Sequence, residues 1–268
     1  MCVFKVSDTR VTINGLRHYI CDGVPKPLPS VTSILTATQS EEQQRKLARW
    51  NDLNPGASAA AAERGTWIHN SVENHIRGLK VIPPNQYLPF WEGVPECLDE
   101  LLDGGRVLWS ERPFNQPRWS KYVGDDGVGR IYYYDSITGY GYAGCCDLIY
   151  MDKNAEIILA DFKTSNGPYA ARFPKKDAPV DDKTRKALIS GAFKTKKTRL
   201  QLAAYKLAAE ACLGIKIAKT QILVTTAVEN FSTQVFTFGE NEILKDEAAW
   251  LSLVRKYYDE QNAPVKSK

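Results

Sequence analysis

The sequence lacks long apolar runs. No segment approaches the roughly 20 consecutive apolar residues that cross a bilayer. Residues 1–10 also lack the apolar stretch of a secretory signal. We therefore expect an intracellular, cytoplasmic protein with no membrane partner, and a cellular and a viral source both stay open.

Two other motif classes are missing. The six cysteines include no Cys-x-x-Cys pair, which argues against a zinc ribbon or a cysteine-ligated iron–sulfur cluster. Small buried cysteines in a reducing compartment fit better. No Gly-x-x-x-x-Gly-Lys-Ser/Thr motif occurs, so ATP-driven translocation is not expected of this chain itself.

Positive charge is concentrated in one stretch. Residues 170–200 hold ten basic and three acidic side chains, a surplus of seven in a chain whose net charge is +4. A basic stretch on a slightly acidic body predicts a polyanion that docks at one place. We interpret 170–200 as a flexible flap without regular secondary structure. Phe193 in it and the adjoining Tyr169 could stack on unpaired bases.

Helical and strand patterns alternate along the chain. Ser30 or Thr32 could begin a helix near Val31. Further helices are predicted over 57–77, 87–102, 198–213 and 242–259. Strands are predicted over 107–114, 131–134, 141–151, 157–163, 220–226 and 232–238.

This order predicts a single α/β domain over residues 1–268, with a mixed β-sheet flanked by helices. Residues 1–30 form an N-terminal cap, in which Asn14-Gly15 indicates a hairpin turn. Residues 264–268 are expected to be a disordered tail.

An apolar strand ends in Asp161-Phe162-Lys163. Residues two apart share a face of a strand, so Asp161 and Lys163 should project together and Phe162 to the opposite side. A surface ion pair would explain the same pattern. However, Asp147 lies in the preceding apolar strand, and a hairpin would bring it close to Asp161. Two such carboxylates predict a cation between them, and oxygen ligands suit Mg²⁺ or Mn²⁺.

Four segments occur in the order found in one nuclease group. They are Gly65 to His69 followed by Glu73, Gly144 to Asp147, Asp161 to Ser165, and Gln201 to Tyr205. With Leu28-Pro29-Ser30-Val31-Thr32, the chain resembles the PD-(D/E)xK nuclease superfamily. More specifically, it is similar to RecB-like exonucleases of the mitochondrial genome maintenance type. The resemblance implies a restriction-endonuclease-like core and spans residues 28–240.

The resemblance also implies roles for individual residues. His69, Asp147, Asp161 and the Phe162 carbonyl would hold the metal, and Lys163 would act on the attacking water. Gln201 would hydrogen-bond that water or Lys163. DNA contacts are expected from two sets of residues, a polar set and a basic set. They are Thr164, Ser165 and Tyr205, and Arg172, Lys194, Lys196, Lys197 and Arg199.

Several alternatives stay open. A lone helical histidine such as His69 is often a packing residue, Glu73 can be helix decoration, and Thr164 and Ser165 can form a turn. Iron–sulfur members of the family need a C-terminal cysteine trio, and no cysteine follows Cys212. The expected function is a DNA exonuclease acting on free single-stranded ends, with a role in DNA repair or recombination. An endonuclease with structure or sequence preference and an inert DNA-binding module are the alternatives.

Overall fold

The computed structural model describes residues 10–114, 117–228 and 233–262. The helices are α1 (Val31–Ala37), α2 (Glu41–Leu53), α3 (Ala57–Ile76), α4 (Leu88–Trp91), α5 (Val94–Leu102), α6 (Asp182–Leu213) and α7 (Glu240–Asn262). The strands are β1 (Arg10–Ile13), β2 (Leu16–Tyr19), β3 (Leu28–Pro29), β4 (Arg106–Ser110), β5 (Ile131–Asp135), β6 (Tyr140–Gly144), β7 (Leu148–Met151), β8 (Ile157–Ser165), β9 (Lys219–Thr226) and β10 (Thr233–Phe238). A short 3₁₀ helix spans Pro117–Tyr122.

A mixed sheet of five strands organises the fold, in the order β10-β9-β8-β7-β4. β8 and β9 are parallel, and the other neighbours are antiparallel. Smaller sheets are formed by β1-β2-β3 and by β5-β6. The predicted fold class, a mixed sheet flanked by helices, is confirmed.

Alternation along β8 divides the core between the two faces of the sheet. Ile158, Ala160 and Phe162 pack with the apolar residues of α3, α4 and α5. Leu159 belongs to the opposite core, which contains α6 and α7. Phe162 therefore lies on the opposite face from its neighbours in the chain, as the alternation of a strand requires.

The N-terminal predictions agree with the structure where it is described. Asn14 and Gly15 both have positive φ, 51° and 74°, which is the geometry of a type I′ hairpin turn between β1 and β2. Ser30 caps α1, because its hydroxyl accepts a hydrogen bond from the Ser33 amide. Residues 1–9 of the predicted cap, and the predicted disordered tail 264–268, lie outside the described residues.

Two predicted elements are divided in the structure. The predicted helix 87–102 is interrupted before Val94, because Pro95 cannot donate to Trp91 in a continuous helix. The predicted strand 141–151 is two strands, β6 and β7, which belong to different sheets. Cys145, Cys146 and Asp147 connect them, so Asp147 precedes a strand and does not lie inside one.

The prediction that 170–200 lacks regular structure is wrong from Asp182 onward. α6 begins there and continues for 32 residues, with Asp181 as its N-cap accepting from the Thr184 amide. The buried residues of its basic half are small: Gly191, Ala192, Thr195 and Thr198. These residues give no large apolar stripe, and this is why the pattern did not indicate a helix.

Candidate active site

Three acidic side chains lie in a row across neighbouring strands. Ser110 of β4 pairs with Leu148 of β7, and Leu148 pairs with Ala160 of β8. One position further along, the same antiparallel registers place Glu111 opposite Asp147 and Asp147 opposite Asp161. The Glu111 amide confirms the register, because it donates to the Asp147 carbonyl at 3.1 Å. Since neighbouring strands lie about 4.8 Å apart, the sheet itself brings these carboxylates together.

Helix α3 adds an imidazole to this row. His69 Nδ1 lies 3.3 Å from Asp147 Oδ1 and 3.8 Å from Glu111 Oε2. The side chain of His69 is 26% exposed and that of Asp147 is 11% exposed, so solvent reaches the group only partly. One ligand atom from each of His69, Glu111 and Asp147 lies within 4.8 Å of the others, and we call these three residues the ligand group.

Asp161 and Lys163 project from β8 beside the ligand group. They form an ion pair through Asp161 Oδ2, and the Asp161 side chain is 1% exposed. Asp161 Oδ1 is buried, with no hydrogen-bond partner among the described residues. A buried carboxylate oxygen without a partner is costly, and a bound cation would satisfy it.

Burial and charge shift the pKa values of these groups. Burial opposes protonation of His69, but Asp147 and Glu111 outweigh it and raise the pKa of His69 to about 10. Burial also raises the pKa of Asp161 to about 6, because Lys163 offsets it only in part. At Asp147, His69 and Lys163 overcome burial and lower the carboxyl pKa. His69 and Lys163 therefore supply the positive charge that faces the aspartates.

This donor set fits a divalent metal ion. It combines one imidazole and two carboxylates in the ligand group with the unpartnered Oδ1 of Asp161 alongside. Carboxylate oxygens and a single imidazole suit hard and borderline divalent cations. The structure brings His69, Asp147 and Asp161 together, as the sequence predicted.

Phe162 holds Asp147 in place through its backbone. The Phe162 amide donates to Asp147 Oδ2 at 2.7 Å, which leaves Oδ1 directed at His69. The Phe162 ring packs edge-on to the His69 ring, with centroids 6.5 Å apart. The observed role of Phe162 is therefore to position a ligand, and the predicted role of its carbonyl stays a prediction.

Gln201 and Tyr205 contact each other one turn apart on α6. Gln201 Nε2 donates to the Tyr205 hydroxyl at 3.1 Å, so the side chain of Gln201 is braced. The Tyr205 ring packs on Gly144, where a Cβ would lie only 2.7 Å from Cε1. Tyr205 lines the same cavity as the ligand group. Glycine before Cys145 thus permits the close approach of this tyrosine.

The predicted DNA-contact residues are divided by the structure. Ser165 accepts a hydrogen bond from Lys194 Nζ at 2.8 Å and donates to the Gly167 carbonyl, so it also stabilises the turn after β8. Burial lowers the pKa of Lys197, and the positive charge of nearby Lys163 lowers it further. The other polar and basic candidates make fewer contacts: Thr164 approaches Gly65, and Lys196 and Arg172 are exposed.

Arg199 has an intramolecular role. Its Nε donates to Asp246 Oδ2 at 2.8 Å, and its guanidinium packs over the Phe238 ring, 4.5 Å from the centroid. This arginine therefore links α6 to α7 and the end of β10. Its predicted DNA contact stays a prediction.

Two aromatic candidates also differ. The Tyr169 amide donates to Gln234 Oε1 at 2.9 Å. Burial raises the pKa of Tyr169, and the positive charge of nearby Lys163 offsets part of the rise. Tyr169 therefore lies beside the site and is partly buried. Phe193 is 54% exposed and packs edge-on against Phe173, with centroids 4.9 Å apart. Of the two, Phe193 is the more exposed and presents more of its ring for stacking.

Glu73 is a buried structural acid. Its Oε1 accepts from Ser110 Oγ at 3.0 Å and from Arg77 Nε at 2.8 Å, and Oε2 accepts from the Arg112 amide at 3.5 Å. We call Glu73, Arg77, Ser110 and Arg112 the Glu73 network. Because Ser110 and Arg112 flank Glu111, this network fixes the backbone that presents Glu111 to His69.

Sequence reasoning missed Glu111. It follows the apolar strand β4 directly, as Asp161 follows the apolar run of β8, and that position was a signal. The signal is weak alone, because the pairing of β4 with β7 across 37 residues cannot be deduced from local patterns.

Comparisons with known proteins give no family. No family model matches the chain, and no curated protein matches it. The crystal structure of SSO0001 is 15% identical, with 88% of this chain and 77% of that chain covered and a TM-score of 0.37. A protein named a putative exonuclease, from Eubacterium rectale, is 13% identical, with 78% and 76% covered and a TM-score of 0.33. Likenesses this low carry no argument about function.

A search for membrane spans was negative. Within residues 10–114, 117–228 and 233–262, no helix combines the length and the apolar character that a bilayer crossing needs.

Proposed function

We propose that this protein is a metal-dependent nuclease that hydrolyses DNA phosphodiester bonds, and that it digests single strands from their ends. The observation that carries the proposal is the juxtaposition of the ligand group with the Asp161–Lys163 pair at the ends of neighbouring strands. The low similarity to a protein named an exonuclease agrees with this proposal but does not carry it.

Mg²⁺ or Mn²⁺ would be held by His69, Glu111, Asp147 and Asp161. When bound, such a cation supplies charge that offsets the negative charge developing on the phosphoryl oxygens. Its preference for oxygen ligands fits three carboxylates better than it would fit a cysteine site. No iron–sulfur cluster is part of this proposal.

Lys163 is the group proposed to handle the attacking water. Burial lowers the pKa of Lys163, but Asp161 and Asp147 raise it by more than burial lowers it. The ammonium is therefore charged and directed at the carboxylates. A charged ammonium there orients a water through hydrogen bonds and stabilises negative charge that develops on phosphate. Gln201, braced by Tyr205, is placed to accept or donate a further hydrogen bond.

Helix α6 supplies the proposed grip on the nucleic acid. Lys194 and Lys197 lie on the side of the helix that faces Ser165 and Lys163, next to the catalytic strand. Phosphate contacts of this kind carry no sequence information, which suits a nuclease that reads no sequence. The exposed Phe173–Phe193 pair offers rings on which unpaired bases could stack, which favours single strands.

The test compares linear with covalently closed circular DNA, single- and double-stranded, with Mg²⁺ and with excess chelator. We expect the linear single strand to be degraded in Mg²⁺ and all substrates to survive in chelator. Cutting of the single-stranded circle at the linear rate would make the protein an endonuclease. Full activity in chelator would contradict the metal mechanism, and binding without cleavage in Mg²⁺ would indicate an inert DNA-binding module.

A further inference from the structure

A cavity of about 280 Å³ opens beside the ligand group. His69, Glu111 and Asp147 line one part of it, and Arg10 and Arg17 of the β1–β2 hairpin line another. The mechanism above uses the acidic part and leaves the two arginines without a role. A cavity that joins a metal-binding group to two guanidinium groups calls for a ligand that carries negative charge.

The hairpin presents both arginines on one face. Arg10 is paired with Tyr19, and Thr12 is paired with Arg17, and residues directly opposite in an antiparallel ladder share a face. The Asn14-Gly15 turn fixes this register, because both residues have the positive φ of a type I′ turn. Tyr19 is buried, and it packs with Leu28 in a small core that anchors the hairpin.

Tyr19 lines the cavity together with Arg10 and Arg17. Burial raises the pKa of Tyr19, and Arg17, which hydrogen-bonds its hydroxyl, offsets part of that rise together with Arg10. Cys145 lines the same cavity as the two arginines and the acids.

The charge of the cavity depends on the metal. Arg130, which also lines it, is paired with Asp126 and contributes no net charge. Arg10 and Arg17 balance Glu111 and Asp147, and a divalent cation bound with His69 as a neutral ligand would leave the cavity with two positive charges. The cavity would then match a dianion, and arginine binds phosphate through two parallel hydrogen bonds.

We propose that Arg10 and Arg17 bind the terminal phosphomonoester of a nucleic acid strand and place the adjoining phosphodiester at the ligand group. A phosphomonoester carries a charge of about −1.5 to −2 at pH 7, whereas each internal phosphodiester carries one charge. Two arginines therefore distinguish an end from the interior of a strand. This inference rests on the proposed function.

The experiment uses four single-stranded oligonucleotides of one sequence, with a phosphate or a hydroxyl at the 5′ end and at the 3′ end. In Mg²⁺, we expect the wild-type protein to degrade the strand with one of the two terminal phosphates about tenfold faster than its hydroxyl counterpart. Arg10→Gln and Arg17→Gln should each reduce this ratio toward one. Arg17→Lys should give an intermediate ratio, because an ammonium keeps the charge and loses the paired hydrogen bonds.

The control variant is Arg49→Gln, an exposed arginine of α2, which should keep the wild-type ratio. Melting curves show whether each variant is folded, and Arg17→Lys tests the inference if a glutamine variant is not. Equal wild-type rates on all four strands, or a wild-type ratio in both glutamine variants, would overturn it.

A binding assay separates this inference from the proposed function. Fluorescence anisotropy in Ca²⁺ measures the affinity of the same four strands, because Ca²⁺ can permit binding without turnover. If no strand is hydrolysed in Mg²⁺ but one terminal phosphate still binds about tenfold more tightly, the nuclease proposal fails and the phosphate site stands. Hydrolysis with equal affinities for phosphate and hydroxyl ends overturns the phosphate site alone.

Discussion

The Glu73 network and the ligand group lie side by side, and they treat buried acids in opposite ways. Glu73 accepts hydrogen bonds from Arg77, Ser110 and the Arg112 amide. Asp161, which is also buried, pairs through one oxygen with Lys163 and keeps Oδ1 without a partner among the described residues. Both oxygens of Glu73 therefore have hydrogen-bond partners, which makes it the closed site. Asp161 Oδ1 has none among the described residues and could bind a further cation, which makes it the open site.

On the proposed function, this difference separates acids that stabilise the fold from acids that take part in the reaction. A satisfied buried carboxylate contributes to stability, and its removal deprives Arg77 and Ser110 of a hydrogen-bond acceptor. A buried carboxylate with an unsatisfied oxygen lowers stability. Proteins keep such groups mainly at sites that bind a ligand or carry out a reaction. Glu73 and Glu111 belong to one local structure, since Glu111 lies between two members of the Glu73 network, yet we assign them opposite roles.

The largest expected effect is at the open site. Asp161→Asn, Asp147→Asn and Lys163→Ala should each reduce the cleavage rate by at least about 10²-fold, the usual cost of losing one stabilising group at a reacting phosphate. The reason is that each removes a charge facing the metal or the phosphate. Single-turnover rates on a linear single strand measure this.

The control for these variants is Glu100→Gln, an exposed acid on α5 that should retain the wild-type rate. Circular dichroism should show all variants folded. A near-normal rate in Lys163→Ala would mean that Asp161 and Lys163 are only an ion pair.

The next effect is on stability and belongs to the closed site. Glu73→Gln should lower the free energy of unfolding by about 2 kcal/mol, because hydrogen bonds to a charged group contribute about 1.5–3 kcal/mol. Urea titration measures the change, with Glu100→Gln as the matched exposed control. An unchanged midpoint for Glu73→Gln would remove the contrast between the two kinds of acid.

The smallest effect is on the salt dependence of binding. Lys194→Gln with Lys197→Gln should shrink the log–log salt slope on single-stranded DNA by roughly 0.7 for each lost phosphate contact. Lys153→Gln with Lys245→Gln removes the same charge elsewhere, at the β7–β8 turn and on α7, and should leave the slope unchanged. Equal slopes in both double variants would mean that Lys194 and Lys197 make no phosphate contacts.

The sequence was informative wherever chemistry follows local periodicity. Alternation along β8 predicted that Asp161 and Lys163 project together, and their ion pair confirms it. The short connection from β7 to β8 predicted that Asp147 approaches Asp161, and the register confirms it. The 57–77 helix was correct because its alanines favour a helix and Gly78 ends it with φ of 72°.

Two kinds of feature could not be predicted from the sequence. They are the pairing of strands far apart in the chain, and helices that lack an apolar stripe. Glu111 reaches the site through the β4–β7 ladder, which no local pattern encodes. α2 was not predicted, because none of its residues is buried, although Ser40 and Gln43 form a capping box. The basic half of α6 was missed because its buried side consists of small residues.

The most direct test of the account is calorimetric titration of Mn²⁺ into the wild-type protein and into Glu111→Gln and Glu100→Gln. The account predicts binding to the wild type and to Glu100→Gln. For Glu111→Gln, we expect a large fall in Mn²⁺ affinity. Losing a hydrogen-bond partner of a metal ligand costs roughly tenfold to hundredfold, and losing a ligand should cost at least as much. Absence of Mn²⁺ binding to the wild type, or an unchanged affinity in Glu111→Gln, would contradict it.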